Sequence, residues 1–413
     1  MTGFPVFKHT SGYSVLDSFS IVELLIVCSC AYYVVAQLAL AVGIRRLPKQ
    51  TSASKPFVSV VVAARNEEDS IGDLLKILTS QSYPDYEIIV VDDRSTDATS
   101  NIVRSFQSSD SRLNLVTIDS KSTVMPAKKN ALTRGIQASK GEILCFTDAD
   151  CLPGTGWIAN LVACFEKRVG LVAGFSPYDA GMLPPGSQKG LGKRILLRFI
   201  EGEEFKGAMW SAGAIGLNLA WLCTGRNLAY RRSVFEEVGG FEKIKMSVSG
   251  DDDLFIQIVR RLTKWNIRYV LSPESQVRTA PPPTFAKFVE QRTRHFSSGK
   301  YFTLPMKLFF FFFHISNLIL LFGLIASICL PSLVLIAAIA FALKLGADFF
   351  LTVTATSIIL HKTFWRGFRL SHFLLTEVLY VLYNTLIGPL GFVKTFRWKP
   401  DQASVAANSN PVT

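Results

Sequence analysis

The sequence is poor in the residues that build zinc sites and disulfide frameworks. It has seven cysteines and five histidines among 413 residues. No two cysteines have the C-x-x-C spacing of zinc ligands and the histidines are scattered, so the sequence argues against zinc chemistry. The odd number of cysteines leaves at least one thiol unpaired, and internal repeats are absent. A disulfide scaffold and a repeat architecture are therefore not expected.

Acidic residues are scarce relative to basic ones, and the formal net charge is +12. A nucleic-acid partner would explain this charge, but no recognition module is visible and the basic residues flank apolar segments. Attraction to anionic lipid headgroups explains it better. Apolar residues make up 49% of the chain and 31 of them are phenylalanine, which is too hydrophobic for a wholly soluble protein of this length. We therefore expect a membrane partner and no nucleic acid.

Residues 21–42 form an apolar run that is long enough to cross a bilayer. Arg45, Arg46 and Lys49 follow this run at once, which places its carboxyl end in the cytoplasm. A cleaved signal peptide fits poorly, because the basic residues come after the apolar run and no small-residue cleavage site is evident. The sequence predicts an N-terminal transmembrane anchor over residues 1–50.

Three further apolar segments lie at residues 308–330, 333–360 and 373–393. They predict transmembrane or interfacial helices over residues 304–400, followed by a disordered tail at residues 401–413. Three full crossings would leave Lys394, Arg397 and Lys399 outside the cell, against the positive-inside bias. One segment is therefore expected to be re-entrant or interfacial, and the Gly388-Pro389 break makes the last one a candidate.

Two charged residues, Lys344 and Asp348, interrupt the middle of these segments. Their spacing would allow them to pair on one face of a helix. Alternatively, the segment is a membrane span joined to an interfacial helix.

Between these apolar ends, at residues 51–303, strand patterns alternate with helix patterns. Apolar runs at residues 57–64, 87–91, 113–118 and 143–146 predict strands, and helical spacing follows from residue 71, from residue 102 and over residues 128–138. This alternation predicts an α/β domain with a mainly parallel sheet. Ligands of such sheets bind beyond the carboxyl ends of the strands.

Asp148 and Asp150 come directly after the predicted strand at residues 143–146. Their spacing can direct both carboxylates at one hard cation bound to a diphosphate. An all-oxygen site of this kind suits Mn²⁺ or Mg²⁺. Taken alone, a D-x-D sequence is more simply explained as a solvated acidic turn.

Three consecutive acidic residues, Asp251, Asp252 and Asp253, form a second carboxylate cluster. A single acidic residue here could be an ordinary feature of a helix amino terminus. Three like charges repel one another, so stability alone explains them poorly, and crowding could raise the pKa of one toward that of a useful base.

Seven motifs in this order resemble the family 2 glycosyltransferases, inverting enzymes with the GT-A nucleotide-sugar fold. The motifs are VSVVVAARNEE, EIIVVDDRSTDAT, AKKNAL, ILCFTDADC, TGRNLAYRRSVFEEVGGF, SGDDDL and QRTRHFSSGKYF. The resemblance covers residues 55–302 and implies a cytoplasmic GT-A domain over residues 51–303, flanked by transmembrane helices.

The resemblance implies that Arg65, Glu67 and Asp93 line the nucleotide pocket. Glu67 and Asp93 would accept hydrogen bonds from the base and the ribose. Lys128 matches a lysine that approaches the donor pocket in relatives. Lys129 is one residue away, and a surface role for either lysine is an equal alternative.

The same resemblance assigns chemistry to the carboxylates. Asp148 would reach the sugar or ribose, and Asp150 would coordinate a divalent cation that offsets charge on the departing nucleoside diphosphate. Asp252 corresponds to the base that accepts the acceptor's proton. Asp251 would then lie on the acceptor side.

Gln291 and Arg294 match a Q-x-x-R-W element of the family, in which His295 replaces the tryptophan. Arg294 would bind the donor diphosphate, since a guanidinium can contact phosphate oxygens bidentately. Gln291 and His295 would lie on the acceptor or product side. In polysaccharide synthases the tryptophan helps to hold the growing chain, so His295 argues against processive polymerisation.

The region between residues 176 and 221 lacks family motifs and shapes the acceptor side in relatives. Its apolar stretch at residues 195–220 carries Glu201, Glu203 and Glu204. An amphipathic helix at the membrane surface and a plain domain helix are equal alternatives.

The expected function is a glycosyltransferase of the inner membrane that moves one sugar from a nucleotide-sugar donor to a lipid-like acceptor. Its catalytic domain would face the cytoplasm. A processive polysaccharide synthase is the alternative within the enzyme class. The alternative from another class is a non-catalytic membrane scaffold that keeps the fold, although both acidic motifs are intact.

Overall fold

A seven-stranded sheet lies in the central part of the chain. The computed structural model describes residues 20–49, 52–361 and 370–394. The strands of this sheet are β1 (Val58–Ala64), β2 (Tyr86–Asp93), β3 (Leu113–Ile118), β4 (Ile143–Phe146), β6 (Val169–Ala173), β7 (Leu228–Arg231) and β8 (Asn266–Tyr269). A separate two-stranded sheet pairs β5 (Cys151–Pro153) with β9 (Val277–Thr279).

The large sheet has the strand order β3-β2-β1-β4-β7-β6-β8. β7 runs antiparallel to its neighbours β4 and β6, and the other neighbouring pairs are parallel. This arrangement confirms the predicted α/β class with a mainly parallel sheet. The carboxyl ends of β1, β2 and β4 therefore meet at one edge.

Helices cover both faces of the sheet and continue beyond it. They are α1 (Ile21–Arg45), α2 (Ile71–Thr79), α3 (Thr99–Gln107), α4 (Ala127–Ala138), α5 (Trp157–Val162), α6 (Leu191–Gly216), α7 (Arg232–Glu237), α8 (Asp253–Leu262), α9 (Phe285–Phe296), α10 (Leu304–Ala326), α11 (Val334–Ile359), α12 (Leu370–Leu386) and α13 (Leu390–Val393). The predicted tail at residues 401–413 lies outside the described residues, as do Arg397 and Lys399.

The central strands are buried along their whole length. Every residue of β1, β2 and β4 is buried. Because successive side chains of a strand point to opposite faces, Val60 and Val61 belong to two different apolar clusters. Burial on both faces explains why these strands are continuous apolar runs rather than alternating ones.

β2 is longer than its sequence pattern predicts. The apolar run predicts an end at Val91, but the strand continues through Asp92 and Asp93. Parallel pairing with β3 places Asp92 opposite Thr117 and Asp93 opposite Ile118, so backbone hydrogen bonding extends past the apolar run. The predicted bounds of β3 and β4 are confirmed.

Within the described residues, four helices are long and apolar enough to cross a membrane. They span Ile21–Arg45, Leu304–Ala326, Pro331–Ile359 and Phe373–Val393. The last is divided at Gly388-Pro389, between α12 and α13. Buried residues of α1, α10 and α11 belong to the same apolar cluster as one face of the sheet. These helices and the sheet therefore share one core.

α6 connects the sheet to these helices. It packs against β8 on one side and against α1, α11 and α12 on the others. At its carboxyl end it approaches α1 through glycines: a Cβ on Gly43 would lie 2.0 Å from the Gly213 carbonyl oxygen, and a Cβ on Gly216 would lie 1.9 Å from that of Gly43. Only glycine permits this approach. α6 is thus an internal helix that packs both on the sheet and on the candidate membrane-spanning helices.

Four charged residues form a buried network where α6 meets α11 and α12. Lys344 Nζ lies 2.7 Å from Asp348 Oδ2, which confirms the predicted pair, and 2.9 Å from Glu377 Oε2. Lys206 Nζ of α6 lies 2.6 Å from Glu377 Oε1. Two cations and two carboxylates therefore balance one another among apolar helices.

Two polar residues of α1 complete this network. The Tyr33 hydroxyl donates to Asp348 Oδ1 at 2.8 Å, and Gln37 Nε2 donates to the same oxygen. Asp348 consequently ties α1 to α11. The network joins four helices that are distant in sequence.

We expect Lys344→Met to lower the melting temperature of the detergent-solubilised protein by several degrees. The variant leaves two buried carboxylates facing one cation, and breaking a buried ion pair by removing one partner costs about 3–5 kcal/mol. The double variant Lys344→Met/Asp348→Asn restores the charge balance and should recover most of the loss. A double variant less stable than the single one would contradict this account of the network.

Candidate active site

A cavity of about 1120 Å³ begins at the carboxyl edge of the sheet and extends between the helices. Its lining reaches α10, α12 and α13 at the far end. Most of the residues that the sequence predicts as site residues line it. These are Glu67, Lys128, Asp148, Asp150, Asp251, Asp252, Gln291, Arg294 and His295.

Asp148 and Asp150 lie just past β4, at the wall of this cavity. Asp150 is exposed, and one ligand atom each from Asp148, Asp150 and Cys151 lie within 4.8 Å of one another. Burial, with smaller effects from Asp150 and Asp148, raises the pKa of the Cys151 thiol well above its usual value, so this group remains a thiol. It donates to Asp150 Oδ1 at 3.5 Å. The two carboxylates therefore form an oxygen donor set that fits a hard divalent cation.

Lys128 of α4 connects the two acidic motifs. Its Nζ lies 3.0 Å from Asp148 Oδ1 and 3.2 Å from Asp251 Oδ2. Burial alone would lower the pKa of Lys128, but Asp148 and Asp251 hold it above its usual value. Burial would raise the pKa of Asp148, and Lys128 instead holds it below its usual value. Both groups are therefore charged at neutral pH.

Lys129 is buried and points elsewhere. Its Nζ donates to the carbonyl oxygens of Ser247 and Ser249, at 2.5 and 2.8 Å. It thereby fastens the loop that leads into Asp251. The alternative of a surface role is wrong for both lysines, because Lys128 lines the cavity and Lys129 is fully enclosed.

Asp252 is the N-cap of α8. Its Oδ1 accepts from the Asp253 backbone N–H at 2.7 Å, and its Oδ2 accepts from the Gly225 N–H at 2.8 Å. Burial raises the pKa of Asp252, and Asp251 raises it further. Burial also raises the pKa of Asp253, whose Oδ2 accepts from the Ser298 hydroxyl. The carboxylate of Asp252 is thus fixed in orientation and more basic than a free one.

Arg65 and Asp93 lie at the ends of β1 and β2 but do not belong to the cavity lining. Arg94 Nε and Nη2 bind Asp93 Oδ1 and Oδ2 at 2.9 and 3.1 Å, and Arg65 Nη1 is 3.8 Å from Oδ2. Asp93 is 2% exposed. Its carboxylate is therefore enclosed by two guanidinium groups, and Glu67 alone of these three predicted nucleotide contacts reaches the cavity.

Gln291, Arg294 and His295 occupy one face of α9. The Gln291 side chain accepts from the Tyr178 hydroxyl at 3.0 Å. Arg294 makes no ion pair with a carboxylate in the part of the chain that the structure describes. Enclosure in the cavity, together with Arg294 and Arg292, lowers the pKa of His295 well below its usual value. The imidazole is therefore neutral at pH 7.

Four further charged residues line the cavity and carry no sequence prediction of a role. Arg226 Nη2 lies 2.6 Å from Glu204 Oε1, and Arg292 Nη2 lies 3.0 Å from Glu204 Oε2. Arg292 also pairs with Glu203. We call Glu203, Glu204, Arg226 and Arg292 the charged cluster. The signal for it in the sequence is a pair of adjacent glutamates in a helix that also carries Glu201 and Lys206.

The far end of the cavity is apolar and aromatic. Trp210 of α6 stacks on Phe310 of α10, with ring centroids 5.3 Å apart and planes at 15°. Ile315 and Leu318 of α10 and Phe392 of α13 extend this lining. The cavity therefore passes from carboxylates at the sheet to hydrocarbon side chains among the candidate membrane-spanning helices.

Two family models match the chain. The model for glycosyl transferase family 2 matches residues 59–239, and the model for glycosyl transferase family group 2 matches residues 199–387. Together they extend from β1 through α12.

Two relatives are similar over part of their length. A probable glycosyltransferase of Bacillus subtilis, YdaM, is 30% identical over 280 residues, which are 65% of this chain and 61% of the relative. The beta-monoglucosyldiacylglycerol synthase of a Nostoc species is 27% identical over 238 residues, which are 56% of this chain and 47% of the relative. The chain thus spans less than two thirds of the length of either relative.

A mannosyltransferase from Pyrobaculum calidifontis, PcManGT, solved in complex with GDP-Man and Mn²⁺, has a similar structure. The TM-score is 0.50 at 20% sequence identity, and the match covers 88% of this chain and 99% of that chain. This likeness concerns the fold. It confirms the predicted GT-A architecture.

Asp150→Asn should weaken Mn²⁺ binding by about tenfold or more, since even the groups that orient a metal's ligands are worth 10–100-fold in affinity. The variant leaves one carboxylate of the donor set. Titration of the chelator-treated full chain with Mn²⁺, followed by electron paramagnetic resonance, measures this. Asp119→Asn, an exposed carboxylate outside the cavity, is the matched control. Equal affinities in the two variants would show that Asp150 is not a ligand.

Proposed function

Because this chain belongs to glycosyltransferase family 2, we propose that it is a membrane-bound inverting enzyme that transfers a single sugar from a nucleotide-sugar donor to a lipid acceptor. One observation carries this proposal. A single cavity joins the acidic motifs at the sheet to apolar side chains of candidate membrane-spanning helices. A soluble acceptor would have no need of that apolar end.

The donor occupies the sheet end of the cavity. Asp148 and Asp150 would hold a divalent cation, Mn²⁺ or Mg²⁺, which neutralises charge on the diphosphate when bound. Arg294, which has no ion pair within the described residues, would bind the diphosphate from the opposite wall. The presence of Mn²⁺ and GDP-Man in the structurally similar mannosyltransferase supports this arrangement. Glu67 would contact the nucleoside. We also propose that Arg65 and Asp93 contact the nucleotide. The Asp93 carboxylate would then release one of its two arginine partners and accept a hydrogen bond from the ribose or the base instead.

The acceptor hydroxyl reacts beside Asp252. The oxygen of the acceptor hydroxyl forms a bond to the anomeric carbon of the sugar, on the face opposite the diphosphate. The bond from that carbon to the phosphate oxygen breaks, and the hydroxyl proton passes to an Asp252 oxygen. One such displacement inverts the anomeric centre. The Gly225 and Asp253 N–H groups keep Asp252 in place. Asp251 orients Lys128 between the donor and acceptor sides.

The acceptor is a lipid in this proposal because Trp210, Phe310 and Leu318 offer hydrocarbon contacts along the cavity. The similarity to a diacylglycerol glycosyltransferase supports the same acceptor class. Residues 1–50 and 304–400 would anchor the enzyme in the inner membrane, and residues 51–303 would face the cytoplasm, since Arg45 and Arg46 lie at the carboxyl end of α1.

The residues of the product side support the proposed transfer of a single sugar. His295 presents a smaller ring than the tryptophan of processive relatives and would hold a sugar more weakly. The side-chain amide of Gln291 lines the cavity beside His295. A glycosylated product would therefore leave before a second transfer.

Asp252→Asn should lower kcat by about 10²–10⁴-fold while the affinity for the donor is kept, because an amide cannot take the proton. In the unmodified enzyme the raised pKa of Asp252 should move the acid limb of the kcat profile to higher pH than a free aspartate would give, since the base must be deprotonated. Steady-state kinetics of Asp252→Asn beside Asp251→Asn checks both points. An inactive Asp251→Asn with a normal Asp252→Asn would reverse the assignment.

The products in lipid vesicles test the function itself. The full chain, reconstituted with UDP-glucose, UDP-N-acetylglucosamine or GDP-mannose and membrane lipids, should yield lipids heavier by one sugar residue. Mass spectrometry with donor in excess distinguishes this from a ladder of regularly spaced masses, which would indicate a polymerase. His295→Trp is the informative variant, because it restores the larger ring and should lengthen product residence.

A further inference from the structure

The charged cluster lines the same cavity as Asp252, beside which the acceptor hydroxyl would react in the proposed function. Glu203 and Glu204 come from α6, Arg292 from α9 and Arg226 from the turn before β7. All four line the cavity. They connect the acidic residues to the membrane-spanning helices, because Arg226 follows Gly225, whose N–H binds Asp252, and Glu203 accepts from the Tyr383 hydroxyl of α12.

The charges of this cluster are already matched to one another. Glu204 uses one oxygen for Arg226 and the other for Arg292. Arg292 also binds Glu203, and the Tyr383 hydroxyl donates to Glu203 Oε1 at 3.2 Å. The side chains of the four members are only 6–13% exposed, so water screens these pairs little. Both arginines are therefore already compensated in charge by the two glutamates, so the charged cluster offers a phosphate no excess positive charge.

The other cationic side chains that line the cavity do not supply the positive charge that a phosphate would need. Among the described residues that line the cavity, eight are Asp or Glu and five are Lys or Arg. Lys128 is paired with Asp148 and Asp251, and Arg294 serves the donor diphosphate in the proposed function. Lys307 is exposed at the start of α10, where its Nζ donates to the Lys300 carbonyl oxygen. If Asp148 and Asp150 hold the divalent cation of the proposed function, six carboxylates and five cations remain in the lining, so a second phosphate beside the donor would meet no excess of positive charge.

Carboxylate oxygens accept hydrogen bonds from hydroxyl groups and repel phosphate oxygens, which are themselves acceptors. Together with the proposed lipid acceptor, on which this inference rests, the charge balance selects one chemical class. We propose that the acceptor headgroup is uncharged and bears hydroxyls, as in a diacylglycerol or a ceramide, and that the charged cluster excludes lipid phosphates.

Two kinds of vesicle test this. The full chain is reconstituted in phosphatidylcholine containing either diacylglycerol and ceramide or a polyprenyl phosphate, and supplied with the same radiolabelled UDP-glucose, UDP-N-acetylglucosamine or GDP-mannose. Label should enter the uncharged lipid at least about tenfold faster than the polyprenyl phosphate. Equal or faster labelling of the polyprenyl phosphate would overturn the inference and leave lipid glycosylation standing. No labelling of either lipid, with the donors bound, would overturn the proposed function as well.

A variant shows whether the cluster causes the preference. Glu204→Gln frees Arg226 from its carboxylate, so the ratio of the two labelling rates should shift toward the polyprenyl phosphate by about tenfold or more. Glu203→Gln, which leaves Arg292 paired with Glu204, should shift it less. Glu201→Gln, an exposed glutamate on the same helix, is the matched control. The ratio is independent of how much folded protein each preparation contains, and an unchanged ratio in Glu204→Gln would show that the cluster does not discriminate.

Discussion

The inner wall of the cavity depends on the ion pairs that join α6 to α11 and α12. Lys206 binds Glu377, and Glu377 in turn binds Lys344. Glu203 lies three residues before Lys206, so the two side chains share a face of the helix and fixing one orients the other. Among apolar helices an unpaired charge is costly, which leaves few arrangements of these helices that satisfy all four charges. The position of the charged cluster is thus set partly by electrostatics some distance from the chemistry.

Much of the fold could be predicted from the sequence because its signals are local. The continuous apolar runs at β3 and β4 identified both strands with their bounds, and the i, i+4 spacing of Lys344 and Asp348 identified an ion pair. The extension of β2 through Asp93 was missed because it depends on pairing with β3, which no local pattern records. Glu377 was missed as the third partner of the pair for the same reason. It comes from another helix, 33 residues away.

Some residues of the candidate site could likewise be predicted from the sequence, and others could not. Asp148 could be placed because it follows β4, at the edge where ligands of a parallel sheet bind, whereas Asp252 caps α8 and Arg294 lies in the last turn of α9, and both were predicted from motifs. Asp93 shares that edge, yet its neighbour Arg94 adopts a left-handed conformation with φ of 60° and binds it. The charged cluster could not be predicted, because it assembles α6, α9 and a turn whose proximity is a property of the tertiary structure alone.

The glycine contact between α1 and α6 makes α1 a part of the protein core rather than a simple membrane tether. Gly43, Gly213 and Gly216 let the two helices meet backbone to backbone, and Tyr33 and Ile44 of α1 belong to the same apolar cluster as Val61 of the sheet. A helix that served only as a tether could be removed without effect on the fold of the domain that it anchors. α1 is instead one wall of the core, so a chain that lacks it would expose interior surface. The packing of α1 and the stability of the sheet domain are therefore coupled through one core.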